Sequence, residues 1–243
     1  MRIRTLGLAL LLALLPAAGS QAADRAPAPG DALVQAGTYA SLTQPDFTGL
    51  VRIDEVLTDQ TLGLGTFTNL DGELVLVGGT AYQVKPDGIP RVADRGQTTP
   101  FLQAVRFRPE RSGPIPPGTT CAQLPQLIDA LAGSTNGVVA VRIRGTFTDL
   151  VTRSVTAAPP PFPPLSQVVA GQTVFPLGRA RAVLAGFRQG SDALGIGQPG
   201  LHLHGVTASR EAGGHVLSCV VGPDAQLAIQ QVERVQVVTP GTP

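Results

Sequence analysis

The chain of 243 residues has no tryptophan, one methionine, two cysteines and three histidines, and aromatic side chains make up only 4% of it. So few aromatics argue against a nucleic-acid platform of stacked rings. Charge is scarce too, at 14% of residues, and nearly balanced. Setting aside residues 1–22, which carry Arg2 and Arg4 and no acid, leaves 16 basic residues (18 − 2) against 17 acidic ones, a formal charge of −1. Nothing in that balance recruits nucleic acid or an anionic membrane surface. Long apolar runs are missing except for Leu6 to Ala18, which follows a basic start and precedes small residues at Ser20 and Ala22. That is the pattern of a signal peptide over 1–22, and it predicts export to a periplasm or the extracellular space, with no membrane contact after cleavage. The run is short for a bilayer span, so an uncleaved anchor is the lesser alternative.

Cysteine is sparse enough to leave two readings. An exported protein can join Cys121 to Cys219, but 98 intervening steps (219 − 121) say nothing about geometry, and two buried thiols remain the alternative.

What the chain has in quantity is glycine (29), proline (22) and hydrophobic residues (43%). Many turns with enough apolar surface for a core point to short strands more than long helices. Residues 23–32 read as a flexible lead-in, and a short helix is predicted near 50–57. Two alternating apolar stretches flank Asp71-Gly72, a strong hairpin signal. Residues 101–108 and 138–145 read as strands. Between them Leu124–Leu131 reads as a helix, with Pro125 in its first turn and Gly133 as its stop. Residues 157–164 hold five prolines in eight positions, which makes 158–164 the natural connection between two parts. The expectation is an α+β fold of mostly antiparallel and mixed sheets in two closely packed halves with few short helices. An N-terminal mixed-sheet domain would span 33–157 and a C-terminal antiparallel domain 165–243.

All three histidines fall within fourteen positions, as LHLH at 201–204 and GGHVL at 213–217. On a strand, alternate side chains share a face, so His202 and His204 project together while Leu201 and Leu203 pack behind. If residues 209–214 turn the chain back, His215 sits across from His204. Three imidazoles meeting at one point suit a catalytic zinc, because three protein ligands leave a coordination position open. Iron, manganese or nickel also accept such ligands, and strand histidines that merely satisfy hydrogen bonds are the bland alternative. HExxH, GxSxG and phosphate-loop patterns are missing, and GIGQPG at 195–200 is better read as a turn.

Seven blocks in order give the chain a resemblance to the acetolactate decarboxylase family over roughly 33–235. They are GLGTFTNLDGELVL at 63–76, YQV with DG across 82–88, QTTPF at 97–101, VRIRGTF at 141–147, TRSV at 152–155, HLH at 202–204 and GGHVL at 213–217. The resemblance implies zinc held by His202, His204 and His215, with Thr66, Glu73 and Arg153 at the active site; Arg142 and Arg144 are rivals to Arg153. It implies conversion of 2-acetolactate (2-hydroxy-2-methyl-3-oxobutanoate) to acetoin and carbon dioxide through an enediolate stabilised by the metal. It also implies a homodimer. Similar proteins commonly continue past the last strand through an Asp-Leu-Pro motif into a segment with another active-site acid. Here VQVVTPGTP follows instead, so either a local acid such as Glu211 substitutes or the site is more open and slower, and reduced shielding of the metal is expected. Two other classes compete: a β-module that captures metal without turnover, and a zinc hydrolase with Glu73 as base.

Overall fold

In the computed structural model, residues 32–193 and 195–239 are described, so the leader expected over 1–22 lies outside the described residues. The chain runs through β1 (Leu33–Ala36), α1 (Tyr39–Leu42), β2 (Val51–Arg52), α2 (Ile53–Val56), β3 (Thr61–Thr66), β4 (Glu73–Val77) and β5 (Thr80–Val84). Next come β6 (Pro90–Val92), β7 (Thr98–Thr99), β8 (Leu102–Arg106), β9 (Arg111–Pro114), α3 (Leu124–Ala132), β10 (Val138–Ser154) and α4 (Leu165–Ala170). Last are β11 (Thr173–Pro176), β12 (Ala180–Gln189), β13 (Gly200–Thr207), β14 (Gly213–Val221), β15 (Gln226–Val232) and β16 (Val235–Val238). The α+β class, dominated by antiparallel strands with short helices, is the one the composition predicts. No helix among the described residues is long and apolar enough to cross a membrane.

One sheet has the order β16-β1-β8-β3-β4-β5-β6 and is mixed, because β1 and β16 are parallel. The second has the order β12-β13-β14-β10-β15-β9, with β11 also on β10. Its organiser is β10: the first half pairs with β12 and β15, the second with β14 and β11. Because β13 joins β12 to β14, these strands close on themselves around Val141, Ile143, Leu184, Leu203 and Val221, with Leu124 and Ile128 of α3 packed on that core. Strand alternation then stacks the sheets. Leu62, Leu64, Val75 and Val77 face Ala140, Ala185, Phe187 and Val206 of the second sheet, whereas Leu74 and Leu76 face Ile53 and Val56 of α2. Each Val, Leu, Ile or Phe side chain among these contributes about 1.5–3 kcal/mol on removal from water, before entropy is subtracted.

Two expectations need correction. The division at 158–164 does not follow the sheets: β9 and β10 of the first stretch lie in the second sheet, and β16 of the last stretch pairs with β1. Long-range pairing overrides the local punctuation of the prolines, and Phe162 of that segment packs edge-on against Phe47, ring centroids 5.2 Å apart. The β3–β4 hairpin exists with Thr66 opposite Glu73, but its connection spans 67–72 and contains a 3-10 turn at Thr68–Leu70. Asn69 and Leu70 take positive φ there, so Asp71-Gly72 closes the loop instead of forming a two-residue turn. The helix α3 ends at Gly133 in the left-handed conformation, as expected. Cys121 and Cys219 form a disulfide that ties β14 to the segment preceding α3.

Candidate active site

Alternation along β13 sends Leu203 into the closed core and Val206 towards the first sheet. His202 and His204 share the face of Val206. β14 returns antiparallel with His215 opposite His204, and on its other side His215 is opposite Arg153 of β10. The pairing of β14 with β10 slips by one residue between Ser218 and Val216, making Leu217 a bulge. The bulge leaves His215 and Leu217 on the pocket side while Cys219 and Val221 turn into the core. Gly214, at φ 128, lets β14 come this close, since a Cβ there would lie 2.3 Å from the Arg153 carbonyl oxygen.

The three rings converge. His202 Nε2 lies 3.1 Å from both His204 Nε2 and His215 Nδ1, and the latter two are 3.2 Å apart. His204 Nδ1 donates to the Leu74 carbonyl at 2.8 Å, which fixes its tautomer and turns the Nε2 lone pair to the centre. Burial pushes all three imidazoles below the usual histidine value, His202 to about 3, and the Arg153 charge adds to the effect. Three neutral rings that face one another in this way cannot all satisfy their inner nitrogens by mutual hydrogen bonds, because each ring has a single N–H to give. A cation can satisfy all three. The corners of a triangle with these edges lie about 1.8 Å from its centre, a spacing of donors compatible with the ~2.0–2.1 Å bonds that a zinc-type ion would make to the three rings. This is the one cluster of its kind among the described residues. His202 Nδ1, by contrast with His204 Nδ1, is buried without a partner.

The first sheet brings the acid. Glu73 is on the face of β4 that looks at the second sheet, and only 4% of it is exposed. Its Oε1 accepts from Arg153 Nη1 at 2.7 Å, and its Oε2 lies 3.4 Å from His204 Nε2. Burial raises the Glu73 pKa above the ordinary carboxylate value, and the Arg153 charge opposes that shift. Opposite it, Thr66 donates its hydroxyl to the Gly72 carbonyl at 2.7 Å and so steadies the loop that leads into Glu73. Thr66, Glu73, Arg153, His202, His204 and His215 all line one pocket of about 320 Å³.

The family model described as alpha-acetolactate decarboxylase matches residues 33–243. The chain belongs to the alpha-acetolactate decarboxylase family. The alpha-acetolactate decarboxylase of Methanosarcina mazei is 33% identical over 187 residues, which is 77% of this chain and 65% of that protein. That of Raoultella terrigena is 33% identical over 189 residues, 78% of this chain and 73% of its own. Thus the chain spans just under two thirds of the first relative's length and somewhat more of the second. The crystal structure of alpha-acetolactate decarboxylase from Bacillus subtilis strain 168 superimposes with a TM-score of 0.81 at 30% identity, over 86% of this chain and 89% of that one.

In this member of the alpha-acetolactate decarboxylase family, the rival arginines lie elsewhere. Arg142 stacks on the Phe107 ring at 4.9 Å and Arg144 is exposed; neither lines the pocket. Glu211 is not a local acid for the site, because it stands exposed on the β13–β14 turn, where its N–H bonds Thr207 Oγ1. What sequence reasoning missed is the wall of the pocket: Val155, Leu165, Val168, Gln172 and Leu217. The proline-rich run reads as a connection, and nothing local shows that α4, which follows it, lines the same pocket as the histidines.

Proposed function

We propose that the chain catalyses zinc-dependent decarboxylation of 2-acetolactate to acetoin and carbon dioxide. The observation that carries this reading is the triangle of neutral ring nitrogens with the Glu73–Arg153 pair beside it, in a chain of this family. His202, His204 and His215 would hold the ion and leave coordination free for a ligand. When bound, zinc supplies Lewis acidity that stabilises negative charge developing on neighbouring oxygens.

The carbon chemistry needs no organic cofactor. The bond from C2 to the carboxylate carbon breaks, its electron pair moves into the adjacent ketone to give an enediolate, and C2 then takes a proton. Arg153 spends one of its five N–H donors on Glu73 and has others for the substrate carboxylate. Glu73 orients that guanidinium, and its raised pKa lets the carboxyl hold or release a proton beside the metal ligands. Thr66 keeps the Glu73 loop in place, and the apolar wall limits the water that reaches the developing charge. A hydrolase would use the same Glu73 as its base, so acetoin formation is what separates the two readings.

The same reading includes export through residues 1–22, which the Cys121–Cys219 disulfide supports because such bonds persist in oxidising compartments. It also includes the homodimer, tested by light scattering of the purified protein. The reaction is tested by following acetoin from racemic acetolactate with and without a chelator. Loss of activity with chelator and recovery with zinc is expected; acetoin formation indifferent to both would reject the metal, and no acetoin at all would reject the substrate.

A further inference from the structure

The pocket's polar side chains are mostly engaged. Thr66 bonds Gly72, Glu73 bonds Arg153, and His204 bonds Leu74. Gln172 is different: it lines the pocket, yet its carboxamide makes no hydrogen bond among the described residues, and its Oε1 is buried without a partner. Its NH2 group also has no partner among the described residues but is not buried, so the end of the side chain that reaches the pocket is a donor.

The strand register says where this carboxamide sits. β11 runs antiparallel to β10 with Val174 opposite Arg153 and Thr173 opposite Ser154. One step further sets Gln172 beside Val155, and strand alternation places residues 172 and 174 on the face that carries 153 and 155. On the opposite side of β10, His215 flanks Arg153. Across this face His215 lies one strand width (~4.8 Å) from Arg153, and Gln172 lies diagonally across from Arg153 on the other side, about 7–8 Å away and within reach of two long side chains. Gln172 is held there by its own N–H, which bonds the Val169 carbonyl at 3.1 Å at the end of α4.

We propose that Gln172 is a substrate-contacting residue, the uncharged second donor to the substrate carboxylate beside Arg153. The inference rests on the proposed decarboxylation. A small hydroxy-keto acid that reaches from the histidines to Arg153 has its carboxylate at the guanidinium. Its outer oxygen then faces the reachable end of the carboxamide, the NH2 group. An uncharged donor suits this position. The carboxylate gives up its negative charge as carbon dioxide leaves, so a second cation would hold the ground state more tightly than the transition state. Val155 and Val168, which line the pocket next to Gln172, offer the departing neutral molecule an apolar surface.

The test uses the zinc-loaded protein and two probes that cannot decarboxylate: 2-hydroxy-2-methylpropanoate, which keeps the carboxylate, and acetoin, which lacks it. Binding is measured by calorimetry, so it reads Gln172 even if the wild type forms no acetoin, the outcome that would sink the reaction alone. For Gln172→Leu the carboxylate probe should bind about five- to tenfold more weakly while acetoin binding stays unchanged. Gln172→Glu, of the same size, should weaken the carboxylate probe further at neutral pH by like-charge repulsion and serves if the leucine variant does not fold. Gln172→Asn should restore part of the loss. Equal loss for both probes, or no loss for either, overturns the proposal.

Discussion

At Glu73 a single carboxylate touches both halves of the site, with Arg153 at 2.7 Å and His204 Nε2 at 3.4 Å. Glu73→Gln keeps the volume and removes the charge. It should lower the acetoin-forming rate by about a hundredfold or more while zinc content stays near one per chain, since no ligand nitrogen is lost. Rate assays paired with elemental analysis read both, and an unchanged rate would contradict the role given to the pair. The histidines were legible in the sequence because period-2 alternation and a short turn are local rules. Thr66, Glu73 and Arg153 were legible only through the family's blocks, because a threonine, a glutamate and an arginine on strands look alike whether they face a pocket or water. Gln172 carried no signal at all: its setting depends on the pairing of β11 with β10, whose nearest partners, Thr173 and Ser154, are 19 positions apart along the chain (173 − 154).

Among the elements, β14 bears the most consequence, since it carries His215, pairs with both β13 and β10, and is anchored by Cys219. Gly214→Ala would set a Cβ 2.3 Å from the Arg153 carbonyl oxygen and so force β14 away from β10. Zinc affinity should fall at least tenfold in competition with a chelating dye, because His215 moves with its strand. Replacing Cys121 and Cys219 together by serine should cost about 2–4 kcal/mol in urea unfolding, as a long loop is released in the unfolded chain. An unshifted midpoint would mean that the bond contributes nothing. The sequence marked where the β3–β4 hairpin and α3 lie, but not the length of the hairpin loop. The backbone of Asn69 and Leu70 departs from the two-residue turn that Asp71-Gly72 suggests.

Over the whole molecule, the sheets are assembled by pairings that no local pattern encodes. The 17-residue β10 serves four neighbours, and β16 closes on β1 across most of the chain. The stacking of β4 on β13 and β14 encloses the three histidines, which has a consequence for acid stability. In the metal-free protein, burial holds the imidazoles below their ordinary value of 6.5, His202 at about 3. The unfolded chain therefore takes up protons that the folded chain refuses, and stability falls as pH drops from about 6.5 towards 3. Glu73 acts with the opposite sign, because its raised pKa makes the folded state bind its proton first, but it is one group against three. Urea midpoints of metal-free protein should decline from pH 7 to pH 5, and a flat profile would contradict the burial of neutral rings.

The most direct measurement is a zinc titration of chelator-stripped protein while acetoin formation is followed. The rate should rise in proportion to added zinc and level off at one equivalent per chain, and a protein with His202, His204 and His215 all changed to alanine should show no rise. Full activity before any metal is added, or in the alanine protein, would contradict the account.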